Sequence, residues 1–163
     1  MSEVKIEKLT KETTPGKAKV LYDGWHTTYK GIVSESYLND LDYEECLRKS
    51  YQHPENTYVA LVDGQVVGFV SYCVSRDFDI PTAGEVKAIY LLKEYQHKGI
   101  GRKLMEFALA KLAQNHNQVI LWVAAKNESA IRFYESFGFE PEGKKMTVLL
   151  GGAVDLIRLQ KRR

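Results

Sequence analysis

Apolar and polar residues alternate over residues 4–9, the period of a strand with one covered face. Residues 16–52 carry apolar positions at helical spacing, broken near Gly31 and again over residues 39–42. Two runs rich in β-branched and aromatic residues follow, 57–62 and 65–75. Between them Asp63-Gly64 supplies the positive φ angles of a two-residue turn, so the pair reads as a hairpin. Residues 84–92 are apolar on both faces, with Val86, Ala88 and Tyr90 on one side and Ile89 and Leu91 on the other. That is the pattern of a central strand covered twice. An amphipathic helix runs from Ile100 to about residue 115, with Ile100, Leu104, Phe107, Ala108 and Leu112 as its stripe. Residues 118–124 form a buried strand, and Asn127 and Gly138 stand where a short helix is capped and ended, with Phe139 able to fold back onto it. Residues 144–150 and 153–159 pair across Gly151-Gly152 as a second hairpin.

This order implies an α/β (α+β) fold with a mixed sheet and helices on both faces. Only the helix from Ile100 lies in a crossover long enough to join parallel strands. The 163 residues read as one domain, 1–163, with an ordinary apolar fraction of 44% and charged fraction of 27%. A net charge of +2 gives no overall field for nucleic acid or a membrane surface, and no apolar run is long enough to span a bilayer. The first eleven residues lack the apolar core of a secretion signal. Cys46 and Cys73 fall in no metal or redox spacing, and the four histidines show none either. A cytoplasmic protein without a metal is expected, and a homodimer is kept open. The basic end, Lys161-Arg162-Arg163, reads as a frayed, solubilising tail rather than a nucleic-acid contact.

The segment Gln96-His97-Lys98-Gly99-Ile100-Gly101 leaves a buried strand and opens a helix. Its glycines permit close approach and strained angles, and the first turn of a helix leaves amide N–H groups unpaired at the positive end of the dipole. With Lys98, Arg102 and Lys103 alongside, the junction reads as an anion site suited to a diphosphate. A Walker loop is excluded because Gly101 is followed by Arg102-Lys103 rather than Lys and Ser or Thr. The dinucleotide fingerprint fails on its glycine spacing. Taken alone, the two glycines could merely shape a strand-to-helix turn.

The loop has company. Glu85-Val86-Lys87-Ala88-Ile89-Tyr90-Leu91 precedes it, and Asn127-Glu128-Ser129-Ala130-Ile131-Arg132-Phe133-Tyr134 and then Gly138-Phe139 follow. In this order and separation the motifs closely resemble the GNAT acyltransferase superfamily, and Trp25-His26-x-x-Tyr29-x-Gly31 is similar to the first helix of many bacterial members. The resemblance covers nearly the whole chain and is strongest over residues 84–139. It implies a mostly antiparallel sheet of about seven strands with a splayed parallel pair, and acetyl-CoA as co-substrate. It further implies that the backbone of Gln96, His97, Lys98, Gly99, Ile100, Gly101 and Arg102 holds the diphosphate, and that the pantetheine arm runs beside Ile89, Tyr90 and Leu91. Asn127 either bonds that arm or caps its helix.

By the same resemblance Tyr134 is the general acid for the leaving thiolate, the plain alternative being a core tyrosine. Glu85 is the base, acting through water, although Lys87 two residues on could pair with it. Neither cysteine has an evident activating partner, so transfer is expected to be direct. The acceptor is expected to be a small-molecule amine such as a polyamine or amino sugar, with a protein or peptide amine, or a catalytically silent CoA-binding module, as alternatives. In this superfamily residues 22–51 wall the acceptor pocket, which makes Trp25, His26 and Tyr29 the candidates to line it. Between residues 21 and 47 six acids stand against one base, Lys30. That excess suits a cationic acceptor, or else marks solvated helix faces.

Overall fold

The computed structural model describes residues 3–162. Its strands are β1 (Val4–Lys8), β2 (Thr57–Val62), β3 (Gln65–Val74), β4 (Gly84–Leu91), β5 (Gln118–Ala124), β6 (Glu140–Leu149) and β7 (Ala153–Arg162). They form one sheet in the order β1-β2-β3-β4-β5-β7-β6. All neighbours are antiparallel except β4 and β5. The crossover between those two carries α4 (Ile100–Ala113), as its length requires.

The helical stretch before β2 resolves into α1 (Thr14–Thr28), α2 (Glu35–Asn39) and α3 (Tyr43–Gln52). Its two expected breaks fall between these helices. Ser34 caps α2 and Asp42 caps α3, each side chain accepting a backbone N–H. Lys17 of α1 lies 4.8 Å from the centre of the Phe69 ring, whereas Leu104 of α4 lies beside Gly68. Adjacent residues of a strand face opposite ways, so α1 and α4 cover opposite faces of the sheet. Leu104 and Met105 are fully buried, each contributing about 2 kcal/mol on removal from water. Met105 was absent from the expected stripe, and Phe107 proves only partly buried, its ring 4.5 Å from that of Tyr58.

The first hairpin turns where expected, with φ of 50° at Asp63 and 77° at Gly64. The second is longer than expected, since β6 already begins at Glu140 and its tip spans residues 150–152. A register shift in β4 sets Tyr72 opposite Val86 and Ser71 opposite Ala88, passing over Lys87. This bulge interrupts the strict alternation expected of that strand. The basic end is also corrected. Lys161 pairs with Val119 and Arg162 with Gln118 within β7, so these two are strand residues, while Arg163 lies outside the described residues. Among the described residues no helix is long and apolar enough to cross a membrane.

Candidate active site

The parallel pair is short. Gly84 stands opposite Val119 and Glu85 opposite Ile120, and beyond those two pairs β4 and β5 part. The divergence opens toward the end of β4 that feeds the glycine loop. There a 3₁₀ turn (Lys93–Tyr95) leads into His97, with φ of 63°, and Gly99, with φ of 82°. Gly99 is the N-cap of α4 and has no side chain to offer the first amides. The first turn carries no acid either. Lys103 is the first residue of α4 whose N–H reaches back, to the Gly99 carbonyl at 3.2 Å. The amides of Ile100, Gly101 and Arg102 therefore stand at the positive end of the dipole with no side-chain cap.

Gly99 is glycine because its backbone is left-handed. Gly101 is different: a Cβ there would meet nothing nearer than Phe133 at 3.5 Å, an ordinary contact. The protein itself thus has room for a side chain at 101, and its lack leaves the amides open to a ligand. This cradle fits a diphosphate. Not every expected contributor points into it. The Arg102 guanidinium lies over the Phe137 ring at 4.4 Å and donates to Ser136 Oγ at 3.1 Å, so its charge is drawn to the end of α5 (Glu128–Glu135). The Lys98 ammonium lies 5.5 Å from the Tyr95 ring centre. Gln96 Nε2 donates a long 3.4 Å bond to the Leu91 carbonyl.

Asn127 caps α5, its Oδ1 accepting the Ala130 N–H at 3.2 Å. After the helix, Gly138 takes φ of 94° and Phe139 turns back into the core, its ring 6.3 Å from that of Tyr134. Tyr134 is only partly exposed. Burial pushes its hydroxyl well above the ordinary tyrosine range, with Tyr29 as a second cause. The Tyr90 hydroxyl is raised in the same way, by burial first, then by Tyr29 and Tyr134. Tyr29, Tyr90 and Tyr134, foreseen in three separate roles, therefore form one cluster.

Glu85 is buried, with 1% of its surface exposed. Its expected partner was Lys87, but the structure supplies Arg76 instead. The Arg76 backbone N–H donates to Oε1 at 3.0 Å and its guanidinium to Oε2 at 2.5 Å. Lys87 is exposed at the bulge. The same loop, between β3 and β4, is fastened further along by Arg158 of β7, which sequence reasoning missed. Arg158 binds Asp77 at 2.9 Å, Asp79 at 2.7 Å and also Glu142. The Trp122 indole N–H joins it by donating to Asp77 at 3.0 Å. Bonding to Arg158 holds the Asp79 carboxyl down at about 2. Glu142 Oε2 is buried without a hydrogen-bond partner in the structure.

Of the three expected acceptor residues, Trp25 and Tyr29 stay together and His26 lies apart. His26 lines a cleft of about 300 Å³ with Asp23, Gly24, Thr27 and residues Leu91, Leu92, Lys93 and Glu94. Its Nδ1 bonds the Tyr22 carbonyl at 2.9 Å. Trp25 packs instead with Tyr29, ring centres 4.5 Å apart, and with Tyr37, in a small second core. Tyr29 packs on the same second core. Three of the six acids in this region have local work: Asp23 pairs with Lys19 at 2.7 Å, Asp42 caps α3 and Glu45 pairs with Arg48. For these three the solvated-helix reading holds.

With this geometry in view, comparisons define the class. The model of the "Acetyltransferase (GNAT) family" matches residues 19–139, and the chain belongs to that family. It is an acyltransferase with GNAT-type N-acetyltransferase activity. It is 37% identical over 126 residues to the uncharacterized N-acetyltransferase YuaI of Bacillus subtilis, covering 76% of this chain and 72% of that one. It is 27% identical over 150 residues to a spermidine N(1)-acetyltransferase of Thermoplasma acidophilum, covering 85% and 89%. The fold matches the PaiA N-acetyltransferase of Thermoplasma acidophilum, solved with coenzyme A, at a TM-score of 0.76 and 24% identity over 99% of both chains.

Proposed function

We propose that this protein transfers the acetyl group of acetyl-CoA directly to the primary amine of a small molecule, with a polyamine as the leading class. The observation that carries the donor half is the start of α4: a left-handed Gly99, no capping side chain, no first-turn acid, and a Gly101 that the protein does not need as glycine. Such a helix start favours a diphosphate by its amides and dipole. The pantetheine arm then lies in the splay along Ile89, Tyr90 and Leu91. A backbone N–H there polarises the thioester carbonyl and stabilises the oxyanion formed on attack.

Tyr134 gives its proton to the departing thiolate. Glu85 takes the proton of the ammonium through water, which requires Arg76 to yield. Arg76 is placed to do so, with 56% of its side chain exposed against 1% for Glu85. An acyl-cysteine route is disfavoured because burial raises the thiols of both Cys46 and Cys73, which reduces their thiolate fraction. For the acceptor, support comes from the spermidine-acting relative.

The test is thiol release from acetyl-CoA across a panel holding spermidine, an amino sugar, a peptide with a free N-terminus and a lysine-containing peptide. Spermidine is expected to accelerate release most. If only the peptides do so, the acceptor class is wrong, and if coenzyme A binds while no amine accelerates release, the enzyme reading fails.

A further inference from the structure

Glu85 and Tyr90 are an odd number of residues apart, a separation that strict alternation would put on opposite faces of the sheet. The bulge at Lys87 reverses this. Glu85 stands opposite Cys73 and Tyr90 opposite Phe69, and Cys73 and Phe69 lie an even number of residues apart on β3. Glu85 therefore shares with Tyr90 the face that α1 covers. On that face one residue holds the two oxygens of Glu85 in different ways. Oε1 accepts the Arg76 backbone N–H, and Oε2 accepts the Arg76 guanidinium. The backbone is fixed on both sides. Ser75 donates its N–H to the Ala83 carbonyl at 2.9 Å, Asp77 donates its own to Ser75 Oγ at 3.1 Å, and Arg158 holds Asp77 and Asp79. The guanidinium has no such anchorage, with more than half of the Arg76 side chain exposed.

A half-exposed guanidinium gives up little on leaving, because water replaces its partner. A buried carboxylate is different, since losing its cation leaves a charge without compensation. Glu85 can thus exchange its cation but not go without one. We propose that Arg76 is a built-in competitor of the acceptor. The ammonium of the incoming amine, through the water that carries its proton, takes the place of the guanidinium at Oε2, while the backbone N–H keeps Oε1 in position. One positive charge replaces another, so the carboxylate is not left alone. An N–H bond of the ammonium then breaks, an O–H bond forms on Glu85, and the free amine attacks the thioester. When Arg76 returns, the carboxyl gives that proton to water and the ionised pair is restored. The exchange favours acceptors that arrive as ammonium ions. Bonding to Glu85 raises the Arg76 guanidinium further still, so the competitor stays charged. The inference rests on Glu85 as the base proposed above, and adds what holds its place and what displaces it.

The experiment measures kcat and KM for Arg76→Gln and Arg76→Lys with the panel amine that gives the fastest release. Arg76→Gln removes the competing charge and keeps the backbone N–H. KM for the amine is expected to fall about fivefold, the most that an exposed ion pair is worth, with kcat changing less and KM for acetyl-CoA holding. Arg76→Lys keeps the charge and should stay near the parent. Methylguanidinium should inhibit Arg76→Gln in competition with the amine and leave the parent untouched, because there the site is already taken. If Arg76→Gln cannot fold, if KM for the amine holds or rises, or if methylguanidinium does not compete, Arg76 is a tie for the loop and the exchange is overturned. Glu85→Gln keeps the two failures apart. If that variant leaves the pH profile of kcat/KM unchanged, the base assignment falls and the inference with it. If the profile moves while Arg76→Gln fails to lower KM for the amine, the exchange is overturned and the base stands.

Discussion

At its first residues β4 is bonded to strands on both sides, and its one carboxylate, Glu85, has each oxygen occupied by Arg76. Seven residues later the strand has lost β5, and the loop it enters presents amides that no side chain caps. The two ends are also built from different material. Around the first, charged side chains from distant parts of the chain meet at Arg158 and fasten the β3–β4 loop. Around the second, the backbone is shaped by Gly99 and His97 at positive φ, and side-chain charge is drawn away, as Arg102 is toward Ser136. The difference separates structure from binding. Apart from Glu142 Oε2, the polar groups at the first end bond one another and hold the loop, whereas the amides at the second end are left for a ligand to complete.

The strongest way to break this comparison is Arg158→Met, which strands Asp77, Asp79 and Glu142 together. Removing one partner from a buried ion cluster costs about 3 kcal/mol of stability, readable in urea unfolding. Affinity for coenzyme A is expected to stay within twofold, and a parallel loss would show that the two ends are not independent. Next in size is Gly101→Ala at the other end. A Cβ there makes only an ordinary contact with Phe133, so the unfolding midpoint should change little. Affinity for coenzyme A, measured by titration calorimetry, should fall at least tenfold, about 1.4 kcal/mol. Smallest is Glu85→Gln, which tests whether the satisfied end also takes part in chemistry. If Arg76 yields and Glu85 accepts a proton through water, the acidic limb of the kcat/KM profile moves with only a modest loss of rate. An unchanged profile makes Glu85 purely a tie for the loop.

The same contrast explains what could be read from the sequence. Asp63-Gly64, Asn127, Gly138 and the glycines of the loop are local signals, because each meets a backbone requirement within a few residues of itself. They sufficed for the first hairpin, both ends of α5 and the glycine turn that opens α4. The Arg158 cluster had no such signal, since Arg158 and Asp77 are 81 positions apart and nothing near either predicts the other. Arg76 displaced Lys87 as the partner of Glu85 for a related reason: period-two alternation put Lys87 on the right face but could not foresee the bulge. Gly24 did leave a trace, as a glycine inside a helix. Its meaning, a close approach to Tyr90, appears only once the sheet is assembled.

The strand order has a consequence for how the molecule comes together in time. β7 lies between β5 and β6, although both precede it along the chain. Those two strands cannot join the same sheet until β7 arrives to bridge them, and until then β5 offers a bare edge and β6 has no neighbour at all. Joining β5 to β6 thus waits on the final strand, which pairs locally with β6 and at longer range with β5. Because β7 also brings Arg158, the ion cluster that fastens the β3–β4 loop can form only at that moment. The loop that opens α4, by contrast, owes nothing to β7 for its shape, so the two ends of β4 depend on different parts of the chain.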